Sequence, residues 1–205
     1  MKIILFRHGE KQKTESKIVS DKNGVELTDL GISQITKLGN TLKQRFPTLN
    51  NFNNIYSSLY RRSIQSAEIV QKILGIVNLV SIPEFGEFNA YSNYLNPKEI
   101  REHIQTFALQ NPDWIPPETN ISLNQAISGF ESKIRQLCQQ TSDEYLIIST
   151  HGGIIRNTVY SIEPKLRPNN DTIGFSKIHE AGCTLLNFDG QNFSVDQFDT
   201  HDFLD

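Results

Sequence analysis

The segment Ile3-Ile4-Leu5-Phe6, within residues 1–10 (MKIILFRHGE), is a continuous apolar run that ends abruptly in charged and polar residues. A short run of this kind is typical of a strand buried on both faces in a parallel sheet, whereas a half-exposed strand alternates apolar and polar residues. We therefore predict a buried strand that delivers Arg7 and His8 to the edge of a sheet.

A helical pattern follows the polar stretch after this strand. Thr28 is a candidate N-cap, because its hydroxyl can accept a hydrogen bond from the first turn of a helix. The helix is expected to end near Phe46 and Pro47, and its apolar face is assigned to Leu30, Ile35, Leu38 and Leu42. A strand followed by a helix is the opening of a βα unit.

The remaining chain continues this alternation. Strands are predicted at residues 54–57, 77–82 and 145–150. One helix follows the first of these strands and is closed by Gly75, and another is opened by a capping box at residues 122–125. The apolar faces of these two helices comprise Ile64, Ala67, Val70 and Leu74 in the first, and Leu123, Ala126, Ile127, Phe130, Ile134 and Leu137 in the second.

Near the end, two apolar segments, 183–188 and 193–198, flank Asp189-Gly190, which is a strong hairpin turn signal. Together the elements predict a three-layer α/β/α fold with a mostly parallel central sheet and a C-terminal hairpin.

The 205 residues correspond to about 1.4 average domains. We expect one domain spanning residues 1–205, with a helical insertion at about 83–120 over the candidate-site end of the sheet.

Composition excludes several classes of function. Twenty basic and twenty-three acidic side chains give a net charge of −3, which argues against a general affinity for nucleic acid or for anionic membranes. No signal peptide or membrane-spanning run is recognisable, and the two cysteines, Cys138 and Cys183, are expected to be buried and free. We expect a cytoplasmic protein that binds anions only locally.

Two histidines occupy matching positions. His8 follows the first strand and His151 follows the strand at 145–150. Ligands of open α/β sheets bind beyond the carboxyl ends of the strands, so the two rings would share one crevice if their strands are neighbours. Each histidine precedes glycine, Gly9 or Gly152, which lets the backbone approach a ligand closely.

Arginines indicate which ligand this crevice would hold. Arg7 adjoins His8, and Arg62 lies in the first turn of the helix after the second strand. A guanidinium offers a planar fork of donors suited to phosphate oxygens, and Ser58 adds a hydroxyl close to a helix N-terminus. Arginines would repel a metal cation, so we expect a phosphoryl pocket with no metal and no cofactor; Arg61 is expected to lie on the surface.

Four segments, in this order, resemble the signature of the histidine phosphatase superfamily, the phosphoglycerate mutase-like family: LFRHGE at 5–10, ELTDLGISQ at 26–34, YSSLYRRSIQSAEIV at 56–70 and STHGGIIR at 149–156. The final run, 183–204, is similar to the closing hairpin and tail of that family. The resemblance covers nearly the whole chain outside the insertion.

The resemblance implies an enzyme in which His8 is the nucleophile that accepts a phosphoryl group. Arg7, Arg62, His151, Ser58 and Gly152 would then form the phosphate pocket, with His151 also counted as catalytic. The family's proton donor is a carboxyl group just after the third strand. Glu87 matches that pattern, although Phe85 and Tyr91 depart from it.

Several alternatives stay open at this point. Glu84 is the rival proton donor. Mutases of the family usually carry a serine or threonine directly after RHGE and an asparagine three positions on, whereas residues 11–15 here are KQKTE, which favours hydrolysis over mutase-type transfer. Lys11 and Lys13 are candidates for contact with substrate charge or for solvated loop residues. A weakly active phospho-ligand-binding regulatory module is a third interpretation. A small phosphorylated substrate is expected, and its identity would depend on the insertion. There the candidates for lining the pocket or for packing are Asn89, Tyr91, Tyr94 and Trp114.

Overall fold

The computed structural model describes residues 1–13, 24–48, 52–88, 106–116, 120–168 and 178–202. Six strands form one mixed sheet in the order β3-β2-β4-β1-β5-β6. The strands are β1 (Lys2–Arg7), β2 (Asn54–Ser57), β3 (Asn78–Ser81), β4 (Tyr145–Thr150), β5 (Cys183–Phe188) and β6 (Phe193–Thr200).

The first four strands of that order are mutually parallel, and β5 and β6 are antiparallel additions at one edge. This arrangement confirms the predicted α/β fold, its mostly parallel sheet and its terminal hairpin. Strand β1 lies between β4 and β5, so both of its edges are paired. Parallel pairing of β1 with β4 makes neighbours of the two strands that precede His8 and His151, with Arg7 opposite Thr150.

Within the described residues, four helices cover the sheet, and residues 106–110 are also helical. The helices are α1 (Asp29–Arg45), α2 (Arg61–Leu74), α3 (Leu123–Gln140) and α4 (Gly152–Ile162). The predicted caps are present: Thr28 accepts a hydrogen bond from the Gly31 amide, and Ser122 and Gln125 form a reciprocal capping box. Gly75 ends α2 in the left-handed conformation, at φ 73°.

The continuous apolar run of β1 is explained by two separate cores. Ile4 and Phe6 face a cluster that contains the buried faces of α1 and α2. Ile3 and Leu5 face the opposite cluster, which contains those of α3 and α4. Both faces of the sheet are covered, so alternating apolar and polar residues would bury polar side chains. Residues 3–6 of β1, which are buried, are accordingly all apolar.

One predicted core position is wrong. Leu30 is 54% exposed, whereas Gly31, Ile35, Leu38 and Leu42 are buried. Successive helical residues are rotated by about 100°, so a step of five residues from 30 to 35 turns Leu30 about 140° away from Ile35. Gly31, four residues before Ile35, takes the buried position instead.

Only parts of the predicted insertion fall within the described residues. Pro83–Phe85 is a short 3₁₀ turn, and the Phe85 ring packs against Phe130 of α3 at a centroid distance of 5.4 Å. Trp114 packs against Phe107 at 4.9 Å. The boundaries of the insertion and the single-domain organisation stay predictions.

In the described part of the chain, no helix is both long and apolar enough to cross a bilayer.

Candidate active site

The two histidines lie side by side at the carboxyl ends of β1 and β4. The His8 amide donates to the Thr150 carbonyl oxygen at 3.1 Å, and the two imidazole centroids are 5.2 Å apart. Both side chains are almost inaccessible, with exposures of 4% for His8 and 1% for His151. Adjacent parallel strands therefore bring together residues that are 143 positions apart in the sequence.

Hydrogen bonds fix the tautomer of His8. Its Nδ1 atom lies 2.7 Å from the carbonyl oxygen of Gly9, which can only accept, so Nδ1 carries the proton. On the other side of the ring, Nε of Arg62 donates to Nε2 at 3.0 Å. Burial, and then the positive charges of Arg62 and Arg7, hold the His8 pKa well below its usual value. The ring is therefore neutral near neutral pH, with its lone pair on Nε2.

His151 is held by the same arginine. Nη2 of Arg62 lies 3.3 Å from Nδ1 of His151, and the Ser58 hydroxyl lies 2.8 Å from Nε2. Because a guanidinium only donates, Nδ1 is the acceptor, and Nε2–H donates to Ser58. Burial, followed by the charge of Arg62, also lowers the His151 pKa well below its usual value. Arg62 thus bridges the two imidazoles.

Arg62 is oriented by an aromatic ring that the sequence analysis did not single out. The Tyr60 ring centroid lies 4.6 Å from the Arg62 guanidinium carbon and 4.7 Å from the His151 centroid. Cation–π attraction and edge-to-face packing both favour this arrangement. Tyr60 lies just before α2, within the YSSLYRRS segment, so a search of that segment for aromatic neighbours of Arg62 could have found it.

Arg7 approaches the site from β1. It donates from Nη1 to the Ile178 carbonyl oxygen, and its Nη2 lies 2.7 Å from the Glu180 carboxylate. Gly152 gives it room, because a Cβ atom at that position would lie 3.2 Å from Arg7 Cδ. Glu180 is a second residue that the sequence analysis missed, and no motif marks it; only the antiparallel pairing of β5 with β1 brings it to Arg7.

The two candidate acids differ sharply in position. Glu87 points into the site, where its Oε2 accepts from the Gly153 amide at 3.0 Å at the start of α4. Its Oε1 is buried and has no hydrogen-bond partner among the described residues. Burial raises the Glu87 pKa, against the opposing effects of that hydrogen bond and of nearby arginines. Glu84 is instead exposed and lies 3.5 Å from the Lys133 ammonium group.

The other candidates lie outside this cluster or at its margin. Lys11 is close enough for its charge to lower the pKa of both histidines, whereas Lys13 is exposed. Arg61 lies on the surface of α2, between the carboxylates of Glu26 and Glu68. The predicted positions Asn89, Tyr91 and Tyr94 lie outside the described residues.

One group among the described residues has the composition of a metal site. Donor atoms of His179, Asp199 and His201 lie within 4.8 Å of one another. The two imidazoles are stacked at 3.5 Å with an angle of 19° between their planes. Ring lone pairs lie in the ring planes, so these near-parallel rings do not direct two nitrogens at one ion at the bond lengths of about 2.0–2.1 Å that zinc requires.

Together, these side chains offer three chemical functions at one place. Nε2 of His8 is a neutral nucleophile, Arg7 and Arg62 supply fixed positive charge, and Glu87 is a carboxyl group biased towards its protonated form. This combination can bind a dianionic group, attack it and protonate a leaving group.

Known proteins share this fold and part of this sequence. The chain is 22% identical over 202 residues to phosphoglycerate mutase-like protein 4 of Arabidopsis thaliana, covering 94% of this chain and 82% of that protein. The fold matches YhfR of Bacillus stearothermophilus with a TM-score of 0.76 at 17% identity, covering 100% and 99% of the two chains.

A second solved structure is the phosphoserine phosphatase of Entamoeba histolytica in complex with 3-phosphoglyceric acid. It matches with a TM-score of 0.73 at 22% identity, covering 99% of this chain and 98% of that one. The family model for the histidine phosphatase superfamily (branch 1) spans residues 3–200. The chain therefore belongs to the histidine phosphatase superfamily, branch 1.

Proposed function

We propose that this protein is a phosphomonoester hydrolase that works through a phosphohistidine intermediate on His8. The observation that carries the proposal is the fixed tautomer of His8: Nδ1 is tied to the Gly9 carbonyl, and Nε2 faces the Arg62 guanidinium. Membership of the superfamily and the phosphatase named among the structural relatives support activity on phosphate esters.

In the first step, the substrate phosphoryl group enters between His8 and Arg62, and the Nε–H of Arg62 turns from Nε2 of His8 to a phosphoryl oxygen, which releases the Nε2 lone pair. Its oxygens accept hydrogen bonds from the guanidinium groups of Arg62 and Arg7, while Ser58 and His151 contact the remaining oxygens. Nε2 attacks phosphorus, so an N–P bond forms as the P–O bond to the leaving group breaks. The arginines stabilise the negative charge on the transferring oxygens.

Glu87 supplies the proton that the leaving oxygen needs. Burial favours its protonated form, and its second oxygen, Oε1, is free of protein hydrogen bonds among the described residues. In the second step, water attacks the phosphohistidine and the now ionised Glu87 accepts a proton from it. The N–P bond breaks, and inorganic phosphate, neutral His8 and protonated Glu87 are restored.

The decisive experiment traps the intermediate. Phosphohistidine is hydrolysed in acid and persists in alkali, so the reaction is quenched with alkaline detergent and the denatured protein is analysed at alkaline pH. The wild type with ³²P-labelled substrate is expected to give a labelled band that acid treatment removes and that His8→Ala lacks. Full phosphatase activity of His8→Ala on an aryl phosphate would refute the proposal.

The same preparation separates hydrolysis from mutase-type transfer. Incubation with 3-phosphoglycerate is followed by ³¹P NMR, which distinguishes 2-phosphoglycerate from inorganic phosphate. We expect release of phosphate without isomer, because residues 11–15, KQKTE, depart from the serine or threonine and the later asparagine that mutases of the family usually carry after RHGE. Isomer without phosphate would instead identify a mutase.

A further inference from the structure

Glu180 occupies one side of the phosphoryl pocket although nothing in the reaction above requires it. Its carboxylate lies 2.7 Å from Nη2 of Arg7, one of the two arginines expected to bind the phosphoryl group. The Glu180 side chain is 41% exposed and the Arg7 side chain 20% exposed, so the pair borders solvent at the edge of the pocket. A negative charge therefore stands beside a site for anions.

The backbone around Glu180 holds that charge in place. On its C-terminal side, the Ala181 amide donates to the His8 carbonyl at 3.3 Å, and the Gly182 carbonyl accepts from the Arg7 amide at 3.1 Å. On its N-terminal side, the His179 amide donates to the Asp199 carboxylate at 3.0 Å. The loop is thus fastened to β1 and to β6 on either side of Glu180.

The effect of the Glu180 carboxylate on substrate binding depends on the charge that the substrate carries. A carboxylate paired with an arginine that binds the phosphoryl group would repel a second anionic substituent on the ester and attract a cationic one. Partial exposure weakens both effects without reversing either. Because the Glu180–Arg7 pair borders solvent, the leaving group of a bound ester is the part of the substrate that would meet this charge.

We propose that Glu180 is a specificity-determining residue that favours phosphomonoesters carrying an ammonium group and disfavours those carrying a carboxylate. This inference rests on the phosphatase function proposed above. Glu180 also competes with phosphate oxygens for Nη2 of Arg7, so it weakens the binding of free inorganic phosphate and hastens release of that product.

The test uses two esters of matched size. Phosphoethanolamine and 2-phosphoglycolate are both two-carbon primary phosphate esters, and they differ in carrying an ammonium or a carboxylate. Glu180→Gln removes the charge and keeps an oxygen that can accept from Arg7. Glu163→Gln is the matched control, because Glu163 also forms a surface ion pair, with Lys165 at 2.9 Å, but lies at the end of α4 remote from His151.

The readout is the ratio of kcat/KM for phosphoethanolamine to that for 2-phosphoglycolate. We expect Glu180→Gln to lower this ratio about tenfold, the size of effect that one unit charge at a partly screened site can produce, and Glu163→Gln to leave it unchanged. A purely structural role of Glu180 would reduce kcat/KM for both esters by the same factor. An unchanged ratio overturns the inference.

A binding measurement tests the effect of Glu180 on phosphate affinity independently of turnover. Titration calorimetry with inorganic phosphate is expected to show binding about three- to tenfold tighter to Glu180→Gln than to the wild type. Equal or weaker binding would mean that Glu180 serves only to orient Arg7, and would overturn the inference. Failure of the wild type to hydrolyse either ester would count against the proposed function, and the phosphate titration would still test the effect of Glu180.

Discussion

Nε of Arg62 lies 3.0 Å from Nε2 of His8, so the nitrogen proposed to attack phosphorus is already hydrogen-bonded to a group proposed to bind the phosphoryl oxygens. One arginine thereby does two things. Its charge contributes to the lowered pKa of His8, which keeps Nε2 unprotonated, and its planar fork is the group proposed to hold the phosphoryl oxygens. The neighbouring Arg61, which faces Glu26 and Glu68 on the surface, provides a natural comparison.

Replacement of Arg62 by lysine is expected to lower kcat/KM for an aryl phosphate by about 10²- to 10³-fold. Lysine keeps the charge but loses the planar fork that contacts both imidazoles. Arg61→Lys, which changes the same residue type one position earlier, is expected to stay within about twofold of the wild type. Steady-state kinetics of the two variants checks this, and similar losses in both would contradict the assigned role.

Glu87→Gln is expected to reduce turnover of alkyl phosphates by about 10²- to 10³-fold and of p-nitrophenyl phosphate much less. An alkoxide needs a proton to leave, whereas p-nitrophenolate does not. For the alkyl ester, wild-type kcat should fall as the pH rises through the raised pKa of Glu87, because the protonated form is the donor. The variant should lose that alkaline decline, and Glu84→Gln should retain it.

Gly153→Ala is expected to impair catalysis without unfolding the protein. A Cβ atom at this position would lie 2.4 Å from Oε1 of Glu87, so the carboxyl group must move. Gly129, in α3, is the control, because a Cβ there meets nothing within 4 Å, and alanine should stabilise the helix by about 0.5–1 kcal/mol. Urea denaturation and kinetics of both variants check this, and normal turnover of alkyl phosphates by Gly153→Ala would contradict the placement of Glu87.

Acid should destabilise the fold through its buried histidines. The pKa values of His8 and His151 are lowered on folding, so their contribution to stability is fully present above the unfolded pKa of about 6.5 and is lost as the pH falls towards the folded pKa. Each histidine can contribute a slope of up to about 1.4 kcal/mol per pH unit.

Urea denaturation between pH 7.5 and pH 5 measures this slope for the wild type and for His8→Asn. The variant should lose stability less steeply as the pH falls, because one of the two protonation sites is gone. Glu87, whose raised pKa acts in the opposite sense, is present in both proteins and cancels in the comparison. Equal slopes would show that His8 is not held neutral by the fold.

The sheet and its helices were predictable because each element carries a local pattern. The apolar run of β1, the capping box before α3 and the turn at Asp189-Gly190 are short-range signals, and the structure has these elements within a residue or two of the predicted bounds. The prediction that Leu30 is buried is wrong, because a step of five residues to Ile35 does not keep two side chains on one face of a helix. The position of a residue along the helix, and not its hydrophobicity alone, therefore determines whether its side chain lies on the buried face.

The candidate site was predictable to the extent that its residues follow strands or open helices. Arg7, His8 and His151 meet because parallel pairing of β1 and β4 aligns their carboxyl ends. Position alone could not separate Glu84 from Glu87, since the distinction depends on Phe85 being buried against α3. Glu180 was beyond prediction, because its pairing with Arg7 spans 173 positions and leaves no periodic trace in the sequence.

The position of β1 in the sheet has a consequence for the order of folding. Its residues pair with 145–150 on one edge and with 183–187 on the other, so this strand is synthesised long before either partner exists. Contacts so distant in sequence form slowly, because the loops that join them must close first. Until the last third of the chain has been made, the strand that carries His8 is an unpaired apolar segment exposed to association with other chains, and chaperone binding there would protect it.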